Sequence, residues 1–208
     1  MVSVEVPRIT QTEDKTRWSS GEFLRPDIEN GLILEIGANY WPVFTWSEAT
    51  LEKLRSGFVY FNIDNYEQHS GKVKRTGLGE DILGDLKSLP IRAESVDEAW
   101  VSNVFGLHSR PTDKTREFLR ELSRGLKTDG RAYIVEWYSP RNSIWLQSEE
   151  FEQYGLETEE IFTQEKLLEF IDKFGITQNV SKHLKPGSIP VNVIPFNSFV
   201  IVLKKISK

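Results

Sequence analysis

The sequence predicts an α/β fold built on a mostly parallel sheet, and three observations carry the prediction. Short apolar runs alternate with amphipathic segments, the pattern of successive βαβ units. The first clear run, Leu32-Ile33-Leu34-Glu35-Ile36, is almost continuously apolar, as suits a strand buried on both faces of a parallel sheet. Directly after successive runs stand Gly37, Asp64, Asp85, Asn103 and Tyr138, three of the five being Asp or Asn.

The elements follow in order. Residues 1–30 hold Trp18, Phe23 and Leu24 amid polar residues and read as an N-terminal helix or arm, either packed near the mouth of a site or covering the sheet. After the first strand, a helix starts near Thr45 or Ser47, either of which could cap it. It runs through Leu51 and Leu54 to a stop at Gly57. The second strand is Phe58 to Ile63, ending on Asp64, and a weak third lies around Asp81 to Leu83. Val96 to Ser102 is the fourth strand. A helix from about Thr112 to Leu126 places Phe118, Leu119, Leu122 and Leu126 at helical spacing. Thr128-Asp129-Gly130 reads as a turn, and Arg131 to Trp137 as the fifth strand. A helix over Gln164 to Phe174 carries Leu167, Leu168 and Ile171 on one face, with Gly175 after it. The end reads as two strands, near Ile176 to Leu184 and Phe196 to Lys204.

Length and composition bound the function. At 208 residues the chain suits one domain, 1–208, and 38% hydrophobic residues provide a sizeable core. The net charge of −5, without a Lys/Arg run, argues against a nucleic-acid backbone as the main partner. With no cysteine there is no disulfide, thiolate metal site or cysteine nucleophile. His69, His108 and His183 lie far apart, so no metal site is predicted. Met1 to Arg8 is not an apolar stretch, and no run approaches the roughly 18 apolar residues of a membrane span. The expectation is a cytoplasmic protein.

In such a sheet, ligands bind beyond the carboxyl ends of the strands, near the point where strand order reverses. The residues there also carry a resemblance. Leu34-Glu35-Ile36-Gly37, Asn62-Ile63-Asp64 and Gly84-Asp85-Leu86-Lys87-Ser88-Leu89-Pro90-Ile91 are followed by Ser95-Val96-Asp97-Glu98-Ala99 and Asn103-Val104-Phe105-Gly106-Leu107-His108. The run from Phe118 to Gly130 completes the set; the specific signal is the Gly84-to-Pro90 run followed, in order and at this spacing, by the Glu121-to-Gly130 run, either of which alone is weak. From about residue 32 to 137 the chain resembles the class I S-adenosylmethionine-dependent methyltransferases, especially their type 11 small-molecule group. The resemblance implies a Rossmann-like, mostly parallel seven-stranded sheet with an antiparallel last strand and helices on both faces.

It also implies roles. Asp64 would accept hydrogen bonds from both ribose hydroxyls of S-adenosylmethionine, with Asn65 beside it; a carboxylate offers two acceptor oxygens. Asp85 would accept from the adenine amino group while the Leu86 N–H meets a ring nitrogen, and Ile63 and Leu86 would flank the ring. Gly37, with Ala38 and Asn39, would bring backbone close to the methionine part, and Glu35 or the Asn103 carbonyl would meet its amino group. Asp64 and Asp85 also read as a helix cap and a turn aspartate, and Ile63 and Leu86 as plain core. The sulfonium methyl is already activated, so the protein chiefly supplies proximity and a dry pocket. If the acceptor must lose a proton, His108 is the candidate base, and Tyr138 and Glu136 lie near the expected acceptor pocket. Trp41, Trp145 and Tyr154 read as pocket lining or as packing. A small-molecule acceptor, taking a methyl on oxygen or nitrogen, is expected.

One loop departs from the pattern. Gly37-Ala38-Asn39-Tyr40-Trp41-Pro42 places Asn39 where the family has its second glycine, and Tyr40 and Trp41 add bulk. Asn readily accepts positive φ, so the turn can survive. The departure motivates a second reading, a non-catalytic scaffold that binds a partner protein or senses the cofactor. A nicotinamide-dependent oxidoreductase would need glycines at three offsets, and only Gly37 is present.

Overall fold

Strand β1 (Leu32–Ile36) is buried at every position, and it lies at the centre of a seven-stranded sheet. The computed structural model describes residues 30–37, 52–54, 56–64, 80–83, 85–104, 112–137, 149–175 and 198–207. Nearly all of the expected N-terminal arm lies outside them. Strands β2 (Val59–Asp64), β3 (Glu80–Leu83) and β4 (Val96–Ser102) follow, then helix α1 (Asp113–Gly125) and strand β5 (Leu126–Trp137). Helix α2 (Glu149–Glu152), β6 (Leu156–Phe162), α3 (Leu167–Phe174) and β7 (Ser198–Lys205) complete the described chain. The strand order is β3-β2-β1-β4-β5-β7-β6, with β7 antiparallel to both its neighbours. The order reverses between β1 and β4, which pair in parallel with Glu35 opposite Trp100.

Alternation along the strands divides the core into two layers. Leu34, Ile36, Ala99, Val101 and Ile134 share one layer with Phe118, Leu119 and Leu122 of α1. Ile33, Tyr60, Trp100, Tyr133 and Val200 form the other, against Leu167, Phe170 and Ile171 of α3. Helix α1 starts where Thr112 accepts a hydrogen bond from the Thr115 N–H at 3.2 Å, an N-cap, with Asp113 in the first turn. Residues 52–54 are helical, consistent with the helix expected to end at Gly57.

The structure corrects three expectations. The sixth strand is Leu156–Phe162, which the sequence reading left unassigned. Its middle residues Glu157, Glu159 and Glu160 are charged because β6 is an edge strand with little to bury there. The strand expected near 176–184 lies outside the described residues. Second, Thr128-Asp129-Gly130 does not separate helix from strand. Strand β5 begins at Leu126, and the turn is a bulge within it. Val96 faces Leu126 and Glu98 faces Arg131, so five steps on β5 match two on β4. Asp129 takes φ +65° there, and its carboxylate holds Lys204 of β7 at 2.7 Å. Third, the expected helix over Gln164 to Phe174 opens as a 3-10 turn, Gln164–Lys166, and Leu168 is 58% exposed. Leu167, Phe170 and Ile171 are the buried residues, at i, i+3 and i+4. Gly175 stops the helix at φ +61°, a left-handed cap that glycine adopts without strain.

Arg131 reaches across β7 to grip Glu159 of β6 through two hydrogen bonds of 2.7 Å. That contact holds the Glu159 carboxyl below its usual range. A depressed folded-state value means stability that is present above the unfolded value of 4.5 and lost as pH falls through the folded one. Glu159→Gln is therefore expected to cost about 0.5 kcal/mol at neutral pH, the pair being part-exposed. Thermal denaturation of both proteins across pH should show the gap closing as pH falls below the carboxylate range. A gap that persists in acid would contradict the assignment.

Candidate functional site

The carboxyl ends of β1, β2 and β4 meet around Gly37. Its N–H donates to the Ile63 carbonyl at 3.0 Å, extending the β1–β2 ladder one step past the strand. Gly37 has φ +74°, and a Cβ there would lie 2.6 Å from the Ser102 carbonyl oxygen and 2.8 Å from Val104 Cγ2. The sequence reading assigned this glycine to close approach by a ligand. The structure adds a second requirement, since the backbone of β4 already fills the space a side chain would take.

Glu35 is fully buried, and its Oε2 accepts a hydrogen bond of 2.6 Å from the Tyr60 hydroxyl. A carboxylate in a sheet interior is costly unless it is hydrogen-bonded, and this contact offsets part of that cost. Asn103 follows β4 at φ +52°, an uncommon conformation that Asn tolerates. Its N–H donates to the Val135 carbonyl at 2.9 Å, and the residue is exposed. Just before it, Ser102 Oγ is buried, with no hydrogen-bond partner among the described residues.

Asp64 ends β2 opposite Leu83, beside the end of β1, and its side chain lies outside what is described. Asp85 is exposed just past β3. Its Oδ1 accepts the Lys87 N–H at 3.0 Å, and its carbonyl accepts the Ser88 N–H at 3.0 Å. The turn role foreseen for it is thus present. Leu86 is half-buried against the core, and Ile63 is fully buried within it. Glu136 is buried on the α1 side of the sheet, near the end of β5, while Tyr154 packs in the core. Ala38, Asn39, Asn65, His108 and Tyr138, with Trp41 and Trp145, lie outside the described residues.

Sequence reasoning missed Tyr60 and Ser102. Tyr60 carried a usable signal, because a tyrosine inside an apolar strand must place its hydroxyl, and it shares the parity of the one buried acid in β1. Ser102 carried none.

A cleft of about 590 Å3 lies at the opposite end of the sheet, by the amino ends of β4 and of the parallel part of β5. Its charges are paired: Lys53 with Glu98, Arg131 with Glu159 at 2.7 Å, Lys173 with Glu160 at 3.3 Å, and Asp97 with Lys127 outside the lining at 2.8 Å. It is the wrong end of such a sheet for the expected ligand. Among the described residues there is no group of three or more metal-ligating side chains, and no helix long and apolar enough to cross a membrane.

A seven-stranded sheet in this order, with an antiparallel seventh strand, is the fold of the class I methyltransferases. No protein-family model matches the sequence, and no curated protein does. Solved structures do. An Aquifex aeolicus S-adenosylmethionine-dependent methyltransferase aligns over 86% of this chain and 84% of its own, with TM-score 0.50 and 16% identity. A Haloferax volcanii protein assigned as a methyltransferase, in complex with the Trm112 methyltransferase activator, aligns over 88% and 85%, with TM-score 0.50 and 16% identity. A Galdieria sulphuraria protein assigned as a sarcosine dimethylglycine methyltransferase aligns over 86% and 79%, at TM-score 0.50 and 13% identity. The chain has the fold of these proteins.

Proposed function

We propose that this protein is an S-adenosylmethionine-dependent methyltransferase acting on a small molecule, at an oxygen or a nitrogen. The observation that carries the reading is the junction at the sheet's switch point. There Gly37 abuts the end of β4, and the buried Glu35 carboxylate lies two residues before it. The residues fit the cofactor. The Glu35 carboxylate and the Ser102 hydroxyl, which has no partner among the described residues, suit an ammonium group, while Asp64 at the end of β2 and Asp85 just past β3 suit a ribose diol and an adenine amino group. When bound, the cofactor supplies an activated sulfonium methyl.

The chain's own work is to bind and orient. Glu35 and the carbonyl of Asn103 receive the ammonium group, Asp64 the ribose hydroxyls, and Asp85 with the Leu86 N–H the adenine edge. Ala38, Asn39 and Asn65 complete the lining. His108 or Tyr138 takes a proton where the acceptor must lose one.

Titration calorimetry with S-adenosylmethionine and S-adenosylhomocysteine tests the reading, and micromolar binding of both is expected. No binding by a folded sample would shift the reading to a scaffold that engages a partner protein, which the Asn39-Tyr40-Trp41 loop favours. Asp64→Ala is expected to weaken cofactor affinity roughly 10- to 100-fold with the fold intact, through loss of a charge-assisted contact. Unchanged affinity would remove Asp64 from the site.

A further inference from the structure

We propose that Tyr60 is a positioning residue for the cofactor, acting through Glu35. The inference rests on the methyltransferase reading above and adds a residue from the middle of β2. Tyr60 is 1% exposed, and Glu35 is fully buried. They lie on neighbouring parallel strands, Ile33 opposite Tyr60 and Glu35 opposite Asn62, so the hydroxyl reaches the carboxylate diagonally. The resulting bond is 2.6 Å long, a normal length for an O–H donor on a carboxyl oxygen.

Its position gives this contact a function beyond stability. Glu35 is one residue short of the end of β1, and Gly37, two residues on, forms the switch-point junction. A glutamate has three side-chain torsions, and a ligand's ammonium group gains most from a carboxylate already held in one place. Tyr60 supplies that hold from a rigid ring in the core, packed in the same layer as Ile33 and Trp100. A phenylalanine there would keep the ring and remove this hydrogen bond from the carboxylate.

The test compares two probes. S-adenosylhomocysteine carries the ammonium group; 5′-methylthioadenosine carries the nucleoside and the thioether without the amino-acid end. Tyr60→Phe is expected to weaken S-adenosylhomocysteine binding roughly tenfold, for one charge-assisted hydrogen bond, and to leave 5′-methylthioadenosine binding unchanged. Glu35→Gln should show the same selectivity. The double variant should bind S-adenosylhomocysteine no more weakly than Glu35→Gln alone, because one residue works through the other. Equal losses for both probes, or additive losses in the double variant, would overturn the proposal in favour of a structural role. The ratio of the two affinities is read within each variant, so a general loss of stability does not imitate the result. Failure of the wild-type protein to bind either probe would sink the cofactor reading itself, and this inference with it.

Discussion

Gly37→Ala is expected to destabilise the protein by about 2–4 kcal/mol and to abolish tight cofactor binding. Two costs add. A Cβ at φ +74° costs about 1–2 kcal/mol in the left-handed region. The same Cβ would lie 2.6 Å from a backbone oxygen, that of Ser102, so relief requires β1 and β4 to part. Those strands pair over four positions, and parting them disturbs the centre of the sheet. Urea denaturation measures the loss, and a second substitution separates its causes. Gly37→Asn tolerates positive φ better than Ala but carries the same Cβ. If the contact with Ser102 dominates, Asn costs at least as much as Ala. A cost below about 1 kcal/mol for Ala would show that the strand ends yield easily, and that the junction is not built as described.

Trp100→Ala should be more damaging still, at about 3–5 kcal/mol. The side chain is fully buried in β4, stacked 4.5 Å from Tyr133 and edge-on to Phe174 at 5.5 Å. Its indole N–H donates to Glu98 at 2.8 Å, and Glu98 in turn holds Lys53, which follows β1. Truncation opens a cavity between the sheet and α3 and leaves one oxygen of a buried carboxylate without its donor. Trp100→Phe isolates the second effect. It keeps most of the ring contact, loses the N–H, and is expected to cost about 1–3 kcal/mol. Chemical denaturation ranks the two. Equal costs would mean that the hydrogen bond, rather than the packing, carries the stability.

The fold was legible because burial writes itself into strands. A run such as Leu32–Ile36 has little option but the middle of a parallel sheet, and the 3.6-residue spacing of Phe118, Leu119 and Leu122 marks a helix face. Strand β6 was not legible for the complementary reason. An edge strand buries little of its middle, so Glu157, Glu159 and Glu160 erase the apolar run that betrays the others. The bulge at 127–130 read as an ordinary turn, since Asp-Gly chemistry is the same in both and only pairing with β4 and β7 distinguishes them.

For the site, the sequence by itself determined the fold class, the strand ends where a ligand would bind, and the candidates Gly37, Asp64 and Asp85. These follow from local pattern and from the residue types that suit a tight turn or a polar ligand. Tertiary structure alone decided that Gly37 is also held against the Ser102 carbonyl and that Tyr60 bonds to Glu35. Each of those depends on which strands become neighbours and in what register. Sequence spacing cannot carry that information, because a partner 25 or 65 residues away is brought close only by the packed sheet.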